Sequence, residues 1–116
     1  MEEGPKTFSC PEGIKIVVEG FVEAKCPFTG APDFYELSVE YVSRGRCLEA
    51  LSFSSWLSLF KDKSVSQEEL AHSIGVYLKK LLDPSIVCVR LSGRHGSLDL
   101  TVEYCVEGSA MEPSTL

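Results

Sequence analysis

Apolar and polar residues alternate along two stretches early in the chain and two late in it, and between them the apolar period lengthens from two to between three and four. In the first stretch, residues 14–25, Ile14, Ile16, Val18 and Phe21 are the apolar positions after a Pro11-Glu12-Gly13 turn, the pattern of a strand with one face buried. A second strand, residues 34–42, places Tyr35, Leu37, Val39 and Tyr41 on one face. The Pro/Gly-punctuated segment 26–33 between them predicts a loop, and hence an antiparallel pair. Over residues 51–60, Phe53, Trp56, Leu57 and Phe60 fall at helical spacing. Ser66-Gln67-Glu68-Glu69 fits a capping box, and Leu70, Ile74, Tyr77, Leu78 and Leu81 continue one apolar face until Asp83-Pro84 stops the helix. Strands over 86–91 and 98–106, joined by a Ser92-Gly93-Arg94-His95-Gly96 turn, complete the order ββααββ.

That order predicts an α+β fold, a four-stranded antiparallel sheet with two helices on one face. The chain reads as a single domain over 1–116 with an ordered core of about 8–106, since no repeat or linker interrupts it. A small open sheet has two unpaired edges, which soluble proteins cover, charge or pair with another chain. Association into a ring is one solution, and it would build ligand sites from loops and helix starts of two copies.

Composition narrows the picture. The longest apolar runs fall far short of the roughly 20 residues that cross a bilayer. The start of the chain has two glutamates and no apolar h-region, so a cytoplasmic protein is expected. A net charge of −6 excludes a surface that grips nucleic acid all over, and any such contact must be local. Arg44 with Arg46, and Lys61 with Lys63, are the candidates for it. Five cysteines, none in C-x-x-C spacing, signal neither a zinc site nor a redox dithiol, and no metal site is expected. Cys88 and Cys105 lie in apolar runs and read as small buried hydrophobes. Cys10 and Cys47 lie in less regular surroundings, and a disulfide between two of these four stays open, above all in a hyperthermophile.

The least generic stretch is Cys26-Pro27-Phe28-Thr29-Gly30-Ala31-Pro32-Asp33, in which a thiol and a carboxylate bracket a stiffened loop. A thiolate adds to electrophiles, and a nearby carboxyl can protonate the atom that gains charge. On spacing alone a cysteine in such a loop is more often structural, because nucleophilic cysteines usually need a base.

Residues 26–34 read C-P-F-T-G-A-P-D-F and thereby resemble the QueF family, the 7-cyano-7-deazaguanine reductases of the tunnelling fold, whose motif is C-P-x-T-G-x-P-D-F. The resemblance covers about residues 8–104. It implies that Cys26 adds to a nitrile to give a covalent thioimide and that Asp33 is the proton donor. It also implies that Glu49 and Glu68, with Ser52 and Gln67 beside them, hold the base. Two carboxylates suit the N–H edge of a guanine-like ring, because each accepts parallel hydrogen bonds.

Two departures from the reductases matter. Their E-S-K-S-x-K, whose lysines help hold NADPH, is here Glu49-Ala50-Leu51-Ser52-Phe53-Ser54, with both cations gone. Their His-Glu pair at the long helix is Gln67-Glu68. The combination resembles the archaeal QueF-like branch, amidinotransferases that make archaeosine by letting ammonia displace the cysteine from a thioimide formed on tRNA. The expectation is therefore an amidinotransferase without a nicotinamide cofactor, acting on 7-cyano-7-deazaguanine in tRNA with ammonia as co-substrate. Its expected assembly is a ring, pentamer pairs forming a decamer. An NADPH-dependent nitrile reductase and a catalytically silent purine- or pterin-binding protein are the alternatives. His95 and Arg94 are further site candidates, His95 only if the turn of a neighbouring copy reaches the cleft; His72 reads as structural.

Overall fold

The computed structural model describes residues 4–109. Strands β1 (Thr7–Lys25) and β2 (Pro32–Leu48) form a long hairpin, followed by α1 (Ala50–Leu57), a 3-10 turn (Ser58–Asp62), α2 (Gln67–Leu82) and a second hairpin of β3 (Ile86–His95) and β4 (Leu98–Glu107). The sheet is antiparallel throughout in the order β1-β2-β3-β4. The expected ββααββ order and the four-stranded sheet are therefore present. Its long dimension, 56 Å, follows from strands of 19 and 17 residues beside two of 10.

The first strand begins earlier than its alternation predicts. Pro11-Glu12-Gly13 is not a turn before a strand but a pair of register shifts inside one, between Ser9 and Glu12 and between Glu12 and Lys15. Gly13 takes φ +77°, and buried Ser43 Oγ donates to Pro11 O and accepts from Ile14 N, so the bulge is held from β2. Alternation is lost through the bulge, which is why the pattern hides residues 7–13.

The core lies between the sheet and α2. Tyr35, Leu37, Val39 and Tyr41 of β2, with Val87, Val89 and Leu91 of β3, meet Leu70, Ala71, Ile74, Leu78 and Leu82 of α2, and Phe53 and Leu57 of α1 close one end. Helix α2 starts at Ser66, whose hydroxyl accepts from Glu69 N at 3.1 Å, and it ends at Asp83 in the left-handed conformation. A Cβ on Gly75 would come within 2.5 Å of the Tyr104 ring, so glycine lets the helix sit close on β4. The predicted first helix breaks after Leu57 into the 3-10 turn, and the ammonium of Lys63, which follows that turn, lies 5.5 Å from the Phe60 ring.

The cysteines correct the sequence expectation. Cys88 and Cys105 are opposite one another on β3 and β4, on the sheet face away from the helices, with Cys105 exposed; they form a disulfide instead of serving as buried hydrophobes. Cys10 and Cys47 form a second disulfide between the far ends of β1 and β2. Cys26 is the free thiol. No helix among the described residues is long and apolar enough to cross a membrane.

Candidate active site

The period of two places Val22, Ala24 and Cys26 on one face of β1 and its extension, and Asp33 and Tyr35 on the same face of β2, where Ala24 pairs with Asp33 and Val22 with Tyr35. This is the helix side, and Ala24 and Tyr35 are buried there. The loop between them is closed by hydrogen bonds from Cys26 N to Ala31 O and from Gly30 N to Cys26 O, both 2.8 Å, with Gly30 at φ +75°. Thr29 Oγ1 accepts from Ala31 N at 3.2 Å, which leaves its own proton to donate.

That hydroxyl and the backbone N–H groups of Phe28 and Thr29 lie in the same loop as the Cys26 sulfur and act on its titration. The Thr29 hydroxyl is the largest influence holding the Cys26 thiol below its ordinary value of 9.0, followed by the two amides, against smaller opposing effects of burial and the Asp33 charge. Hydrogen bonds to the sulfur favour the thiolate, so the loop supplies part of the activation that sequence reasoning asked of a base. Thr29 was not among the residues expected in the site, although its place in the C-P-x-T-G motif was a signal for it.

Helix α2 is brought to this loop by the segment before it. Lys25 N donates to Lys63 O at 2.9 Å and Val65 N to Lys25 O at 3.1 Å, a short parallel bridge beside the residue that precedes Cys26. Glu68, in the first turn of α2, is thereby close enough for its charge to act on Tyr35. The Tyr35 hydroxyl donates to Asp33 Oδ2 at 3.1 Å. Burial above all, then the Asp33 bond and charge, then the Cys26 and Glu68 charges, hold that phenol far above its ordinary value, so it is a donor at every working pH. One chain thus gathers Cys26, Thr29, Asp33 and Tyr35, with Glu68 at the start of the neighbouring helix.

The remaining candidates fall elsewhere. Glu49 lies at the opposite end of β2 from Asp33, where its two carboxylate oxygens cap α1 by accepting from Leu51 N and Ser52 N, each at 2.8 Å. Ser52 Oγ accepts from Lys6 N and donates to Glu49 O. Within a chain this pair clamps a helix start, Glu49 serving as the N-cap of α1. Gln67 is 2 % exposed and its amide is fully engaged: Nε2 donates to Leu91 O and Leu100 O, both at 2.9 Å, and Oε1 meets His95 Nε2 at 2.7 Å. Within the chain these bonds tie α2 to β3 and β4. His95 is the last residue of β3 instead of part of the turn, which is reduced to Gly96-Ser97, and its ring centroid lies 6.2 Å from that of Tyr35. It reaches the site's edge without a neighbouring chain. Arg94 forms a two-pronged pair with Asp99 across the hairpin, at 2.9 and 3.2 Å, and both are exposed. Among the described residues, no three His, Cys, Asp or Glu side chains converge as metal ligands would.

A family model described as QueF-like protein matches residues 32–110. The chain belongs to the QueF-like family. The match includes Asp33, Tyr35 and Glu68 and begins after Cys26. Within the family's curated proteins, the NADPH-dependent 7-cyano-7-deazaguanine reductase of Maricaulis maris is 36% identical over 86 residues, covering 74% of this chain and 49% of the reductase. That of Thioalkalivibrio sulfidiphilus is 33% identical over 95 residues, covering 82% and 64%. The chain thus spans about half to two thirds of these reductases. The archaeosine synthase of Pyrobaculum calidifontis is 26% identical over 108 residues, covering 93% of this chain and 95% of that protein. A crystal structure of an archaeosine synthase QueF-Like in the apo form shares the fold, with a TM-score of 0.79, 24% identity, and coverage of 87% and 99%.

Proposed function

We propose that this chain is an amidinotransferase that converts the nitrile of 7-cyano-7-deazaguanine in tRNA to a formamidine with ammonia, through a thioimide on Cys26. The observation that carries the reading is that the free thiol and Asp33 lie on the same face at the loop end of the hairpin, the thiol lowered by its own loop. The Cys26 thiolate adds to the nitrile carbon, one C–N π bond breaks, and the nitrogen takes a proton from Asp33. Ammonia then adds to the thioimide carbon, one of its protons passes to the former nitrile nitrogen, the carbon–sulfur bond breaks, and the thiolate leaves with both nitrogens kept in the protonated amidine. Glu68 accepts from the N–H edge of the base.

Two features favour transfer over reduction. The segment that holds NADPH in the resembling reductases maps to α1, which carries no cation; Leu51, 79 % exposed, and exposed Ser54 stand where lysines would meet phosphate. The donor set does not fit that cofactor. The chain also matches an archaeosine synthase over nearly the whole length of both. Exposed Lys25, Lys61 and Lys63 surround the loop end of the hairpin, where phosphates of a tRNA would position the base, and the two open sheet edges are where copies would pair into a ring.

Intact-mass spectrometry of the protein mixed with 7-cyano-7-deazaguanine tests the reading. The wild type is expected to gain the mass of one base, discharged as the amidine by ammonium and unaffected by NADPH, while Cys26→Ala gains nothing. Discharge to an amine by NADPH would make the protein a reductase, and no adduct would leave a binding protein.

A further inference from the structure

Proton delivery to a nitrile nitrogen requires the Asp33 carboxyl to hold one orientation while Cys26 adds. Asp33 is the second residue of β2, beside a loop with two prolines, where nothing in the backbone fixes its side-chain torsions. Its observed side-chain partner is the Tyr35 hydroxyl, two residues along the same face.

Tyr35 is held on both sides. It is 1 % exposed, and β3 passes its ring at Gly93, where an added Cβ would lie 2.6 Å from Cδ1 and 2.9 Å from Cε1. At the sheet's end the His95 ring tilts against it at 6.2 Å between centroids. His95 is itself determined: Gln67 Nε2 gives its two hydrogens to Leu91 O and Leu100 O, so Oε1 can only accept, and His95 Nε2 must carry the hydrogen between them. The orientation of the phenol is thus anchored to the backbone of two strands.

We propose that Tyr35 is a positioning residue for Asp33, tying Oδ2 so that Oδ1 presents the proton to the nitrile nitrogen and stabilising the carboxylate left after transfer. The inference rests on the reading of Cys26 and Asp33 given above. In the step, sulfur bonds to the nitrile carbon, a C–N π bond breaks, and the proton moves from Asp33 Oδ1 to nitrogen. Tyr35 keeps its own proton throughout, as an uncharged donor to a newly formed anion.

The test measures the rate of thioimide formation at saturating 7-cyano-7-deazaguanine by rapid-quench intact-mass spectrometry, for the wild type, Tyr35→Phe, Asp33→Asn and the double variant. Non-covalent affinity for the base is measured by calorimetry with Cys26→Ala as background. Tyr35→Phe keeps the ring and its packing; its rate is expected to fall roughly tenfold to a hundredfold, with affinity and melting temperature nearly unchanged. In the Asp33→Asn background the same change is expected to cost nothing more, because the hydroxyl acts through the carboxyl. An unchanged rate in Tyr35→Phe, or losses that multiply in the double variant, would overturn the proposal while leaving the thioimide reading intact. Absence of adduct in the wild type would overturn both.

Discussion

The Cys26 thiol is held below its ordinary value chiefly by a hydroxyl three residues further on. Because the Thr29 O–H bond favours the anion, removing it should raise the thiol toward its ordinary value and leave less thiolate at neutral pH. Thr29→Ala is therefore expected to move the midpoint of the iodoacetamide-alkylation rate against pH to a higher value, with the plateau at high pH unchanged; Tyr35→Phe should leave that midpoint in place. At this scale the sequence was legible where a residue's role follows from its neighbours along the chain. Cys26 and Asp33 came from the motif, and Asp33 with Tyr35 was available from the period of two alone. What the pattern could not show was which polar groups the core would consume. Gln67 aligns with a pocket histidine in the resembling reductases, yet two carbonyls 24 and 33 residues away engage its amide. Glu49 looked like a base-binding carboxylate and is locally a helix cap.

Elements were read most faithfully where one side faces the core. Helix α2, with its cap, apolar stripe and Asp83-Pro84 stop, was legible from end to end, as was the central part of β2. The far halves of β1 and β2 were not, because a bulge offsets the alternation and β3 does not extend to cover them. That two-stranded end is held by covalent means: the Cys10–Cys47 disulfide closes a loop of sequence separation 37 beside the bulge and the α1 clamp. Loop closure of that size is worth about 2–4 kcal/mol. The Cys10→Ser/Cys47→Ser variant is expected to melt at a markedly lower temperature in calorimetry, with the rate of adduct formation at Cys26 preserved, since the Cys26 loop lies at the other end of the hairpin. The Cys10–Cys47 pairing was beyond the sequence because it depends on register, and register across β1 and β2 shifts at the bulge.

For the whole molecule, charge and edges set the terms of association. A net charge of −6 repels polyanions at a distance, so an RNA partner must be held where cations are concentrated. Of the basic residues singled out from sequence, Arg44 and Arg46 are drawn toward Ser109, Asp83 and Leu81 at the far end. Lys61 and Lys63 stand exposed near the Cys26 loop. Lys61→Glu/Lys63→Glu is accordingly expected to weaken binding of tRNA at least tenfold in a filter-binding assay and to flatten its salt dependence, while adduct formation with the free base is unaffected. The disulfide pattern has a further consequence. With four of the five cysteines locked in pairs, each native chain offers a single reactive sulfur, and that sulfur is the proposed nucleophile. A thiol reagent applied without reductant becomes a stoichiometric counter of competent sites, reporting in any assembly what fraction of chains carries a usable nucleophile.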